Sequence, residues 1–406
     1  MENTKKVQPF DALSVSYKIL ILCGFFKLMR PTTRFKYICF QIYRPLSFLI
    51  VLVFIVQHSI YAVMKVMDNE LDKALDAFIV IPPELNLLSK FLALNLHSST
   101  VDKLNDVMRD SIFDARNQED EIILTKFVSD MHQLTKNVEI GMVVAEILYI
   151  LSPIFKRIYD PASTIASYYP FKVDNWGRHT ITLLWECSFL PWIGNGHLSL
   201  DCLIGIYYSQ ATTQLKLIKY NLEHLFDSDE RNKDNSRNME HQYIDVVDNT
   251  IQERFEHYVE RYSKVKWYIQ ELHNVFSGAI IYQFASTIII ACPVIYKISF
   301  MDFFSVQCIY LTGYLIMLEI QIVLYCYYGG LVEYESISIN DSLYMSEWLS
   351  ASPKFRRQML IAMAQWSRPL TPRVFAIVPL SLNTVIAMLK FIYSLYTALI
   401  STNNIN

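Results

Sequence analysis

Residues 46–66 read LSFLIVLVFIVQHSIYAVMKV, a run matching the roughly 20 largely apolar residues that an α-helix needs to cross a hydrocarbon core. Six further windows have the same character: Ala77 to Leu96, Ile140 to Phe155, Phe189 to Leu215, Val275 to Tyr296, Phe304 to Tyr328 and Phe375 to Ile400. The second is the weakest, because Glu84, Lys90 and the pair Pro82-Pro83 fall inside it. Proline is tolerated in a span where neighbouring groups satisfy the freed carbonyls. With 52% hydrophobic and 18% charged residues over 406 positions, an ordinary water-facing surface would be hard to assemble. The expected fold class is an all-α membrane protein with seven transmembrane helices.

Charge orients it. If the N-terminus is cytosolic, Lys and Arg number eight in 1–44, five in 97–138, nine in 214–275 and five in 328–374. The external pieces 65–76, 156–186, 297–303 and 402–406 hold two, four, one and none, so the bias is 27 to 7. That bias fits the positive-inside rule, with a cytosolic N-terminus and an extracellular C-terminus. Residues 1–45 become a cytosolic N-terminal segment and 46–400 the seven-helix domain. The apolar run 18–26 (KILILCGFF) is too short to span and carries no small-residue cleavage site, so no signal peptide is expected.

The long inner segments predict helices that project into the cytosol, at about 216–275 and 328–368. In the first, Val246, Ile251, Phe255, Val259 and Tyr262 recur at helical spacing and run without a break into the fifth span. In the second, Ser352-Pro353 has the order of an N-cap and first helical residue, which predicts a helix at 353–367.

Candidate sites come from spans that break the apolar rule. At about 100° per residue, Asn383, Thr384, Ala387, Ser394, Ala398, Ser401 and Thr402 fall within about 60° of one meridian of the seventh helix, interrupted by Phe391. Leu382, Val385, Leu389, Tyr393, Tyr396 and Ile400 lie opposite. A small-residue stripe suits close helix packing, and equally a water-filled path in which hydroxyls hydrate an ion; periodicity does not separate the two. Glu84, Lys90, Asp201, Glu319 and Lys390 are charges within spans, where interhelical pairing is the expected role. His197 and Asp201 share a helix face at i and i+4, without a third ligand or a nucleophile. Seven cysteines show no metal-ligand spacing, and H-E-x-x-H, G-x-S-x-G and Gly-rich phosphate loops are absent. Neither an enzyme nor a cofactor is expected. Phe78, Tyr149, Phe155, Trp192, Tyr310 and Tyr314 fall in outer halves of spans, as interface anchors do. Tyr310 and Tyr314 share a face, and Ser152 lies near Phe155, as the walls of an apolar ligand pocket would.

The stretches YCYYGGLVEYESISINDSLYMSEWL (325–349), KFRRQMLIAMAQWSRPL (354–370) and PLSLNTVIAMLKFIYSLYTALIS (379–401) resemble, in order and spacing, the signature of insect odorant receptors. DCLIGIYYSQATTQLKLIKYNLEHL (201–225) and RFEHYVERYSKVKWYIQELHNVFS (254–277) look similar as well. The resemblance implies an inverted seven-helix channel subunit in the plasma membrane of olfactory sensory neurons, gated by a small volatile odorant. It implies a heterotetramer with co-receptor subunits around one nonselective cation pore, lined by the seventh helix (379–401) through Ser394, Ala398, Ser401 and Thr402. Ala398 stands at the family's hydrophobic gate, usually valine, which implies a wider constriction set by partner subunits. The ligand pocket it implies lies in the outer leaflet among spans two, three, four and six, with Tyr310 and Tyr314 as residues that carry over and Phe78, Tyr149, Ser152, Phe155 and Trp192 beside them. The short fourth-to-fifth loop marks an odour-tuning subunit, and the last span lacks the T-Y-x5-Q-F of gustatory receptors. Membrane lipid is an expected partner and nucleic acid is not.

Among rival seven-helix chemoreceptors, a G-protein-coupled receptor would show D-R-Y after the third span, where KRIYD stands, and N-P-x-x-Y in the seventh. A secondary transporter would show inverted repeats. The sequon Asn340-Asp341-Ser342 falls in a cytosolic segment under this orientation. It is expected to stay unglycosylated in cells, and a glycan there, seen as an endoglycosidase-sensitive gel shift, would overturn the topology.

Overall fold

The computed structural model describes residues 7–27, 33–160, 163–227, 240–375 and 377–403. In chain order the helices are α1 (Ser14–Leu22), α2 (Arg34–Met67), α3 (Leu71–Phe78), α4 (Ile81–Leu96), α5 (Ser98–Val107) and α6 (Gln118–Tyr159). They continue with α7 (Trp176–Glu223), α8 (Glu240–Ser299), α9 (Val306–Ile337), α10 (Ile339–Met345), α11 (Pro353–Trp366) and α12 (Leu382–Asn403). A two-stranded antiparallel ribbon, β1 (Arg373–Val374) with β2 (Val378–Pro379), precedes α12. Polar side chains start the long helices: Asn117 accepts from Asp120 N at 2.6 Å, Asn175 from Arg178 N at 2.9 Å, and Ser305 from Cys308 N at 3.1 Å. Ser352 accepts from Phe355 N at 3.4 Å, so the Ser-Pro start of α11 is where the sequence puts it.

Five helical segments are long and apolar enough to cross a membrane: α2, α3 with α4, α6, α8 and α9. The shorter apolar α12 and the 48-residue α7 complete seven. Exposed apolar bands mark the lipid-facing surface, Leu49, Val53, Val56, Ile60 and Val63 on α2 and Ile140, Val144, Ile147, Leu151 and Ile158 on α6.

Two predicted spans change. The second is a broken helix: α3 ends at Phe78, and Pro82 and Pro83 occupy the first turn of α4, where the missing N–H groups have no intrahelical acceptor to lose. The fourth is shifted. Asn195 of α7 donates to Glu146 of α6 at 3.0 Å, so the two helices are level there. The lipid-facing 140–158 of α6 then stands beside α7 at about 182–201 by antiparallel register. The expected window Phe189–Leu215 sits too far along the chain, because 196–215 is buried without interruption inside protein. Hydropathy reports apolar surroundings, whether lipid or protein supplies them.

That buried half of α7 is the axis of the fold, packed by α1, α6, α8, α9 and α10. The apolar run 18–26 neither spans nor dangles: α1 lies on α7 with Tyr17 and Leu20 buried, and Phe25 is buried in the turn that follows. At the end opposite the exposed bands, Phe255 and Tyr262 of α8 close on Phe355, Met359 and Trp366 of α11. Ile251 and Val259 are half-buried on the same helix, and the Val246 side chain lies outside the described residues. Arg261 is buried here, donating from Nε to Gln214 at 2.7 Å and from a terminal nitrogen to Phe113 O at 3.2 Å. Burial lowers its pKa to about 10, which leaves it charged at neutral pH.

Lys90 of α4 and Asp201 of α7, both wholly buried, form an ion pair that Tyr325 of α9 joins by donating to Asp201. Lys90 also donates to Gln283 of α8 at 2.9 Å. Removing one charge strands the other, which costs about 3–5 kcal/mol, whereas removing both costs less. Lys90→Met is therefore expected to lower the thermal unfolding midpoint of the purified protein markedly, and Lys90→Met with Asp201→Asn to restore part of it. Equal losses in the two variants would show that the pair is not what holds these helices.

Candidate ligand cavity and pore helix

A cavity of about 160 Å³ lies between α4, α6, α7 and α9. The broken second span makes room for it. Ile79 O, whose usual partner four residues on is the N–H that Pro83 lacks, accepts instead from Tyr314 Oη at 2.9 Å. Tyr314 thereby ties α9 to the break, and its ring enters the cavity wall beside Tyr310, with centroids 6.2 Å apart. Tyr149 of α6 meets Tyr310 edge-on at 5.5 Å. Gly194 of α7 gives the opposite wall its depth, since a Cβ there would come 2.7 Å from Glu146 Oε1 and collide with Met142.

The cavity's polar groups are few. Glu84 is 4% exposed, with Oε1 at 3.0 Å from His58 Nδ1 and no hydrogen-bond partner for Oε2 among the described residues. Glu146 accepts from Asn195 at 3.0 and 3.2 Å. His197 and Gln321 form the floor, and Lys90 Nζ approaches His197 Nε2 at 2.9 Å from behind.

Of the aromatics and polar residues expected in a pocket, Tyr149, Tyr310 and Tyr314 line this cavity. Ser152 lines a second space of about 90 Å³ that shares Tyr149 and Tyr310 with it. Three lie elsewhere, because depth in a span says nothing of which way a helix turns. Phe78 and Phe155 are 42% and 40% exposed on the outer surface, and Trp192 turns toward α2, donating to Tyr43 Oη at 3.0 Å and packing 5.3 Å from Phe25. Sequence reasoning passed over Met142, Glu146, Gly194 and Gln321. Glu146 had a usable signal, a charge in mid-span. Gly194 had none. Among the five in-span charges, Lys90 and Asp201 pair, Glu84 meets His58, Glu319 is half-buried and Lys390 is exposed.

On α12, Val385, Met388 and Ile392 form the stripe buried against the rest of the chain. Asn383, Ala387, Ser394, Ala398 and Ser401 are exposed on a different face, so the small-residue stripe is not a packing seam within this chain. Leu389 and Tyr393 of the bulky side are exposed too. Ser394 and Ser401 donate to Lys390 O at 3.0 Å and Thr397 O at 2.9 Å of their own helix. The Thr402 side chain lies outside the described residues.

The family model described as 7tm Odorant receptor matches residues 70–393. Odorant receptor 19a and putative odorant receptor 19b of Drosophila melanogaster are each 28% identical over 142 residues, 35% of this chain and 37% of theirs. Odorant receptor Or2 of Anopheles gambiae is 22% identical over 132 residues, 32% of this chain and 35% of that one. The match thus spans little more than a third of these curated relatives. Among solved structures, the insect olfactory receptor OR5 from Machilis hrabei in complex with eugenol has a similar fold. Its TM-score is 0.80 at 14% identity, over 96% of this chain and 97% of that one.

Two tyrosine variants separate lining from support. If the cavity takes the ligand, Tyr310→Ala shifts the dose response about tenfold or more, a loss of about 1.4 kcal/mol. Tyr314→Phe, which removes only the hydroxyl at Ile79 O, is expected to lower thermal stability by about 1 kcal/mol. Wild-type dose responses for Tyr310→Ala and Tyr314→Ala together would make these rings packing residues.

Proposed function

The chain belongs to the odorant receptor family, and on that premise we propose that it is an odour-tuning subunit of an odorant-gated, nonselective cation channel that assembles with co-receptor subunits. The observation that carries this reading is a tyrosine-lined cavity of about 160 Å³ between four helices of a seven-helix receptor fold. A small, mostly apolar molecule suits such a space, where a few placed polar groups set orientation. The name of the similar Machilis hrabei structure records a complex with eugenol, which supports a small, mostly apolar molecule as the ligand of this chain.

Channel function is supported by α12, whose small and hydroxylated face is left uncovered by the rest of the chain. In the proposed heterotetramer four such helices surround the ion path, with Ser394, Ala398, Ser401 and Thr402 facing it. The cluster of α8, α10 and α11 residues around Trp366 lies on the cytosolic side and serves as the assembly's anchor. Odorant binding opens the pore by differential affinity for the open arrangement. The cell is an olfactory sensory neuron and the membrane its plasma membrane.

Electrophysiology of the chain expressed with and without a co-receptor tests the whole reading. Odorant-evoked currents that rise in milliseconds and persist under G-protein blockade are expected with the co-receptor; currents abolished by the blockade would favour a G-protein-coupled chemoreceptor. Within the channel, Ser394→Cys and Ser401→Cys are expected to react with external thiol reagents and change the current, while Leu389→Cys and Tyr393→Cys do not. Thr402→Glu and Thr402→Lys shift ion selectivity in opposite senses, partially, because partner subunits dilute the effect. Equal reactivity on both faces, with selectivity unmoved by either charge, would place the conduction path elsewhere.

A further inference from the structure

We propose that the cavity between α4, α6, α7 and α9 selects a ligand bearing a basic nitrogen, a small amine with an apolar body, and that Glu84 and Glu146 receive its N–H donors. This deepens the reading of that cavity as the odorant site and rests on it.

The wall carries two carboxyls, of which Glu146 already accepts from Asn195 while Glu84 keeps an oxygen without a donor among the described residues. Glu84 and Glu146 enter from different helices, and no lysine or arginine is among the residues that line the space. Glu84 is nearly wholly buried, and its Oε2 has no hydrogen-bond partner among the described residues. His58 Nδ1, 3.0 Å from its Oε1, is not among the residues that line this cavity and is also 2.9 Å from Phe54 O. A buried carboxyl oxygen without a donor is unfavourable, and a ligand N–H supplies the donor. The hydroxyl of Tyr314 is not available to a ligand as a donor, because it is directed to Ile79 O. The nearest ammonium, Lys90, is held by Asp201 and by Gln283 at 2.9 Å, and the lining residue it approaches is His197, at 2.9 Å.

The remaining wall suits the rest of such a molecule. Tyr149, Tyr310 and Tyr314 present rings, whose faces attract an ammonium as well as an apolar body. An ester or ketone brings acceptors only and leaves Glu84 Oε2 unfilled. A carboxylic acid would set a third carboxyl beside two, a like-charge arrangement that discriminates against it. An alcohol brings one donor without charge and falls between. The proton of the bound pair comes on the nitrogen when the amine arrives as ammonium, or from the carboxyl when it arrives neutral.

The test uses the purified full-length protein in lipid nanodiscs at neutral pH, with benzylamine, benzyl alcohol, benzoic acid and toluene as size-matched probes. Binding is read from the ligand-dependent shift in thermal unfolding, and currents are recorded from cells that also express a co-receptor. Benzylamine is expected to half-saturate at a concentration about tenfold or more below benzyl alcohol, as a charge-assisted hydrogen bond would give, with benzoic acid weakest. Glu84→Gln is expected to weaken benzylamine about tenfold while moving benzyl alcohol less than threefold. If Glu84→Gln does not fold, the ranking of probes on the wild type and on Glu146→Gln decides. Toluene or benzoic acid binding as well as benzylamine, benzylamine unaffected by both carboxyl variants, or no probe binding would overturn the inference. Amine-selective binding without current in any cell would leave the inference standing and overturn the channel reading.

Discussion

Burial costs Lys90 and Asp201 their hydration, so each needs the other and polar partners from neighbouring helices, and that need fixes much of the architecture around them. Asp201 belongs to the stretch of α7 that is buried without interruption, so α1, α6, α8, α9 and α10 must all close on this one helix. Lys90 brings α4, Tyr325 brings α9 and Gln283 brings α8 to the same point. Through His197 the pair also underlies the floor of the cavity between α4, α6, α7 and α9. Core and site are therefore one polar structure rather than a pocket added to a finished bundle, and a change in the cavity floor has a direct physical route to three helices.

The outer end of the cavity follows from a covalent constraint. Two consecutive prolines cannot sit in the middle of a helix that needs their N–H groups, so the second span breaks and α4 starts afresh with them in its first turn. The break frees a carbonyl, Tyr314 satisfies it, and the same tyrosine becomes a wall of the space that the break opens. Support and lining are thus shared by one side chain. Gly194 does the complementary service across the cavity by leaving Glu146 and Met142 room.

The last helix has a different logic. Among the described residues of α12, Val385, Met388 and Ile392 are buried against its own chain and Tyr396 Oη lies 2.8 Å from Ser299 Oγ, while residues of a small polar face and of a bulky apolar face are exposed. Lipid suits the bulky face, whereas the hydroxylated face suits water or another subunit.

Spans were legible in the sequence because the penalty for polar backbone and side chains in hydrocarbon is so large that about 20 apolar residues announce themselves. The Ser352-Pro353 helix start was legible because capping is local chemistry, and the C-terminal signature carried the family because its order and spacing survive in this chain. The fourth span was misplaced because lipid and protein interiors look alike to a hydropathy window. Depth along a helix, which the sequence gives, put six aromatics in the outer halves of spans; rotation about the axis, which it does not give, turned Tyr149, Tyr310 and Tyr314 inward and Phe78, Phe155 and Trp192 away. The partnerships of Glu84 with His58 and of Glu146 with Asn195 join residues far apart in the chain. A periodic pattern records which residues share a face of one helix, and only the packing of several helices decides what that face meets.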